Sequence, residues 1–73
     1  MRKKKEILLK FGNKVRDERM KLGLSQEQLA LRVGVHRTYV GMIERAEKNI
    51  TLENIHKFAK AFNLKTKDLL DDC

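Results

Sequence analysis

Apolar residues return along this chain at intervals of three and four, with no stretch of strict alternation, so helices are predicted throughout. Ile7, Leu8, Phe11, Val15 and Leu22 mark a first helix from about residue 6 to Lys21, with Lys10, Lys14, Arg16, Asp17, Glu18 and Lys21 largely on its other side. Gly23 supplies a stop, and Leu24 can fold back onto the last turn. Leu29 and Val33, then Val40 and Ile43, place a second helix from Ser25 to about Val33 and a third from about His36 to Arg45. Ile55, Phe58, Ala59 and Phe62 extend a fourth from about Leu52 to Phe62, capped by Thr51 and ended by a left-handed Asn63. Lys67 to Leu70 leaves room for one short final helix capped by Thr66. Asp71 and Asp72 follow it, where the helix dipole disfavours acids, so that end is predicted to fray. The fold class is all-α.

Residues 26 to 45 hold the most specific pattern. Ser25 and Gln28 have the S-x-x-Q spacing of a capping box, which gives the second helix a defined start. Ala30 is small where two steeply crossed helices need close backbones. Gly34 can take a positive φ, so one helix can end and another begin within a few residues. Leu29, Val33, Val35, Val40 and Ile43 form the apolar underside, and Arg37, Thr38, Tyr39, Gly41 and Met42 are left on the outer face. This is helix-turn-helix spacing. Any small helical protein can also carry two amphipathic helices around a glycine.

Length and charge narrow the picture. Seventy-three residues make one domain, 1–73, too short for a deep ligand cavity, so no small-molecule ligand is expected. The net charge is +7 and is concentrated before Leu24, with Arg2, Lys3, Lys4 and Lys5 as a run in a basic tail at residues 1–6. Such a balance suits a polyanionic partner, nucleic acid above all, although a solvated tail has the same composition. The single cysteine, Cys73, allows neither an internal disulfide nor a zinc site, which favours a reducing, cytoplasmic setting. Ile7, Leu8 and Leu9 are too few before Lys10 for a signal peptide or a membrane span. His36 and His56 stand on different helices without a metal-binding partner motif. No glycine-rich phosphate loop or nucleophile setting occurs, so neither an enzyme nor a cofactor is expected.

With the helices placed, the chain resembles the lambda-repressor-like family of DNA-binding domains, those related to phage repressors and Cro. The resemblance covers roughly residues 8 to 70. It is carried by Leu-Gly-Leu-Ser-Gln-Glu-Gln-Leu-Ala at 22–30, Val-Gly-Val at 33–35 and Ile-Glu-Arg at 43–45. Arg37-Thr38-Tyr39-Val40, Ile43-Glu44-Arg45 and Asn49-Ile50-Thr51 look most like the controller proteins of bacterial restriction-modification systems, which are small dimeric regulators.

The resemblance implies that the third helix enters the major groove with its N-terminal residues against base edges. Arg37 is then the candidate for reading guanine, with Thr38 and Met42 beside it; a phosphate contact is the alternative for Arg37. Gln26, at a helix N-terminus, matches the family's phosphate-contacting position. Tyr39, Arg45, Lys48 and Asn49 are further backbone candidates, and Tyr39 has a second reading as core filler. The N-terminal lysines would add non-specific affinity. Arg19 and Glu44 match a family pair that fixes the angle of the recognition helix, and an ordinary surface pair is the other reading. Residues 50–70 are left for a dimer, with Ile50, Phe62, Leu64, Leu69 and Leu70 as its apolar contacts.

The implied function is a homodimeric regulator on a pseudo-palindromic double-stranded operator, controlling a restriction-modification cluster that includes its own promoter, with RNA polymerase as a further partner. The rival is an antitoxin or other protein-binding regulator with DNA binding secondary. An antitoxin usually carries a toxin-wrapping segment, for which about three residues after Leu70 leave little. RNA is a poorer fit, because no aromatic platform for unstacked bases is present.

Overall fold

The computed structural model describes the backbone of residues 2–71 and the side chains of residues 6–71. Five helices follow one another without a strand among the described residues: α1 (Arg2–Lys21), α2 (Gln26–Val33), α3 (Arg37–Glu44), α4 (Leu52–Ala61) and α5 (Thr66–Leu69). Helix α1 packs on α3 and α5, α2 packs on α3 and α4, and α4 packs on α5.

Helices α1 to α4 each end at a residue in the left-handed conformation, whereas α5 closes at Leu70 with φ −92°. At Gly23 (φ 69°) the N–H of Leu24 reaches back to the Arg19 carbonyl at 3.1 Å, and that of Gly23 to the Met20 carbonyl at 3.0 Å. Gly34 (φ 91°) and Val35 both donate to the Ala30 carbonyl, closing α2. Asn63 (φ 62°) ends α4, with Leu64 donating to the Ala59 carbonyl at 2.8 Å. These bonds satisfy carbonyls that a helix otherwise leaves without partners. The fourth stop was not legible: Ala46 has φ 61° after α3, while Glu47 donates to the Met42 carbonyl at 2.8 Å.

The starts are equally local. Ser25 Oγ accepts from the N–H of Gln28 at 3.0 Å while Gln28 Oε1 accepts from the N–H of Ser25 at 2.8 Å, a complete capping box. Thr51 Oγ1 accepts from the N–H of Asn54 and caps α4. Helix α5 begins one residue earlier than its sequence suggested. Thr66 is inside it rather than capping it, and the Asp68 carboxylate accepts from the N–H of Lys65.

The start of α1 and two of its expected apolar positions need correction. The stretch expected as a tail at residues 1–6 is helical from Arg2, because Arg, Lys and Glu are good helix formers and no breaker intervenes. The side chains of Arg2 to Lys5 lie outside the described ones, as does the DNA role expected of them; Asp72 and Cys73 also lie outside. Ile7 and Leu22 are exposed rather than in the core. At 1.5 Å per residue α1 spans about 30 Å, close to the molecule's longest extent of 32 Å. Its ends therefore outrun the elements that could cover them.

The core is continuous and draws on every helix: Phe11 and Val15, Leu29, Ala30 and Val33, Val40 and Ile43, Ile55, Phe58 and Ala59, and Leu69, with Phe62 at the end of α4. Burying each large apolar side chain contributes about 1.5–3 kcal/mol. This corrects the dimer set. Phe62 and Leu69 are 5% and 0% exposed within a single chain, so neither is available to a second copy. A domain of this size has too few large apolar residues to leave these outside. Ile50, Leu64 and Leu70 are half-buried against the core.

Candidate nucleic-acid interface

The C-terminal end of α3 is tied to α1 and α2 through one buried carboxylate. Glu44, whose side chain is 1% exposed, accepts from Arg19 Nε at 2.7 Å and Arg19 Nη2 at 3.1 Å, a two-pronged guanidinium–carboxylate pair. Its Oε1 also accepts from Gln26 Nε2 at 3.0 Å, and Arg16 Nε lies 3.7 Å away. Arg19 Nη1 donates to the Leu24 carbonyl at 2.8 Å, tying the pair to the turn after α1. Three helices thus meet at one carboxylate, and no buried side-chain polar atom among the described residues lacks a partner.

The same junction depends on a glycine that sequence reading passed over. A Cβ on Gly12 would stand 2.6 Å from the Ile43 carbonyl oxygen and 2.8 Å from that of Glu44. Only hydrogen lets α1 approach the end of α3 this closely. A mid-helix glycine costs about 1 kcal/mol against alanine, and that cost was the available signal. Ala46, buried and left-handed, carried no signal because alanine is not a usual residue there.

The N-terminal end of α3 is open. His36 Nδ1 accepts from the N–H of Thr38 at 3.0 Å, so an imidazole protonated on Nε2 caps the helix. Arg37 is 65% exposed, with Nη1 3.7 Å from Glu27 Oε1 of α2, and both groups remain in solvent. Thr38 is exposed and Met42 half-buried. Arg37, Gly41 and Arg45 recur every four residues and share a face with Thr38 and Met42 beside them.

Gln26 and Arg45 converge on Gly41. A Cβ there would lie 2.9 Å from Arg45 Nη1 and 3.4 Å from Gln26 Oε1, so the glycine lets the guanidinium lie back across the helix. Arg45 Nε donates to Glu47 Oε2 at 3.0 Å. That hydrogen bond and the charge of Glu47, with Glu44 behind it, raise the Arg45 pKa above its usual value. Lys48 and Asn49 are exposed in the following loop.

Tyr39 is divided between the two readings the sequence left open. Its ring is half-buried, 6.3 Å from that of Phe58, and its hydroxyl accepts from Asn54 Nδ2 of α4 at 3.0 Å. Gln26 lies at the N-terminus of α2, with its amide donating to Glu44. No group of His, Cys, Asp and Glu among the described residues could hold a metal ion, and no described helix is long and apolar enough to cross a membrane.

The capped second helix, the glycine turn and a third helix with one open face define a helix-turn-helix DNA-binding domain. The helix-turn-helix family model HTH_3 matches residues 15–69. The control protein C.BamHI of Bacillus amyloliquefaciens is 50% identical over 66 residues, covering 89% of this chain and 82% of that one. The crystal structure of the restriction-modification controller protein C.AhdI from Aeromonas hydrophila superposes with a TM-score of 0.85 at 43% identity, over 89% of this chain and 94% of that one. The DNA-binding domain of the P22 C2 repressor matches with a TM-score of 0.80 at 31% identity, over 85% and 82%. The chain belongs to the helix-turn-helix family, as a DNA-binding transcriptional regulator of the restriction-modification controller type. It is not an enzyme, because that family consists of regulators.

Proposed function

We propose that this chain binds a pseudo-palindromic operator as a symmetric homodimer, reads it with the first turn of α3, and controls a restriction-modification gene cluster that includes its own promoter. One observation carries the reading: α3 is anchored through Glu44 at one end and presents Arg37 and Thr38 to solvent at the other. Arg37 can give two hydrogen bonds to guanine O6 and N7, Thr38 one to a base edge, and Met42 an apolar contact to a thymine methyl. Gln26, Tyr39, Arg45, Lys48 and Asn49 hold the phosphates on either side. Arg45 keeps its charge at any working pH, which suits a phosphate contact.

A single domain reads few base pairs, and two copies on half-sites about 34 Å apart give the affinity a regulator needs. Ile50, Leu64 and Leu70, packed on the core with part of their surface outside, are the residues for that contact. Where the sites fall relative to RNA polymerase then sets activation or repression.

The test is a gel-shift titration with the DNA upstream of the coding sequence and a scrambled control at two salt concentrations, followed by footprinting and sedimentation. A two-fold-related footprint bound at about 10⁻⁸ M or tighter supports the reading. Equal, steeply salt-dependent binding to both duplexes, or a monomer on the footprinted site, contradicts it.

A further inference from the structure

Asn54 stands in the first turn of α4, and its amide makes the side-chain hydrogen bond that joins α3 to α4 among the described residues: Nδ2 donates to the Tyr39 hydroxyl at 3.0 Å. A phenol has one proton to give and lone pairs to accept with. Because Asn54 donates, it occupies a lone pair and leaves the Tyr39 proton free. No described side chain or backbone carbonyl receives that proton. The ring beneath packs on Phe58, 6.3 Å away at 45°, which sets where the hydroxyl oxygen sits. The backbone of Asn54 is held separately, by the Thr51 cap at 3.1 Å, so the side-chain amide is not needed to start α4.

We propose that Asn54 is a positioning residue for DNA binding, holding Tyr39 with its O–H turned outward as a donor to a phosphate oxygen. This rests on the reading that the α3 face meets DNA. A phosphate only accepts, so a tyrosine whose proton was spent on its own protein would offer it nothing. An amide donating to the phenol oxygen also polarises the O–H bond and strengthens it as a donor to an anion. An aspartate at the same place would accept instead and draw the proton inward.

The experiment is a double-mutant cycle on the footprinted duplex, with urea melts of every variant. Y39F keeps the ring and removes the proton, and should weaken binding about tenfold, as expected for a hydrogen bond to a charged group. N54A should weaken it about fivefold or more through the same bond, and the Y39F/N54A double variant should bind no more weakly than Y39F alone. N54D should cost more affinity in the wild-type background than in Y39F, where only its added charge acts. This excess separates proton direction from simple charge repulsion, and it also serves if N54A does not fold.

A Y39F variant that binds like the wild type removes Tyr39 from the interface and overturns the inference, while Arg37→Ala on the same duplex tests separately whether the α3 face meets DNA. A weakened Y39F with independent, additive losses at Asn54 leaves the reading in place and overturns the positioning role. An N54A variant that melts earlier but binds normally makes the bond a fastening between helices only, which also overturns it.

Discussion

The two ends of α3, an eight-residue helix, obey opposite rules. At Glu44 a carboxylate is withdrawn from water and compensated by Arg19, Gln26 and, more distantly, Arg16. At Arg37 a guanidinium stays in solvent with one loose acidic neighbour. A buried ion pair is weak evidence for stability, yet it suits a helix that has to keep one orientation. The charge at the far end can bind only if it has not already been neutralised at home. The difference teaches that this domain places rigidity and reactivity on one helix, at separate ends.

Breaking the rigid end should have the largest effect. Glu44→Ala leaves Arg19 without its carboxylate and should lower stability by about 3 kcal/mol, a large part of the 5–15 kcal/mol that domains typically have. Urea melts would show it, and an unchanged midpoint would mean that Arg19 reaches solvent easily. Gly12→Ala acts at the same junction through shape. Despite the better helix propensity of alanine, it should cost about 2 kcal/mol, because two carbonyl oxygens must yield to the new methyl.

The open end should respond in affinity instead. Arg37→Ala should reduce discrimination between operator and scrambled duplex by about 1–3 kcal/mol, while its melting midpoint stays within about 0.5 kcal/mol of the parent. Equal loss on both duplexes would make Arg37 a phosphate contact. Gln26→Ala touches both ends: it should weaken both duplexes alike and, because the Gln26 amide also donates to buried Glu44, lower the melting midpoint as well. The smallest effect should come from Ala46→Gly. Removing a Cβ from a left-handed position should raise stability by about 1 kcal/mol, without altering DNA binding, as read by calorimetry and gel shift together.

Much of this was legible in one dimension because it is local. A capping box needs only Ser25 and Gln28, a left-handed stop needs Gly23, Gly34 or Asn63, and helical periodicity marks Phe11, Val15, Leu29 and Phe58 without any knowledge of neighbours. The pairing of Arg19 with Glu44 came through family resemblance, because nothing in a separation of 25 residues announces a 2.7 Å contact. The dimer residues were misjudged where they were because the surplus of apolar residues was counted along the chain. Whether Phe62 faces inward depends on how α4 and α5 pack.

By itself the sequence determined five helices, the Ser25 and Thr51 caps, the stops at Gly23, Gly34 and Asn63, the basic charge and the helix-turn-helix spacing, all of which follow from backbone geometry and residue type within a few positions. Tertiary structure decided that Gly12 is a point of closest approach, that Ala46 is held left-handed, that Phe62 and Leu69 are interior, and that Asn54 meets Tyr39. Each of these depends on distances between segments far apart in the chain, which packing sets and local propensity does not.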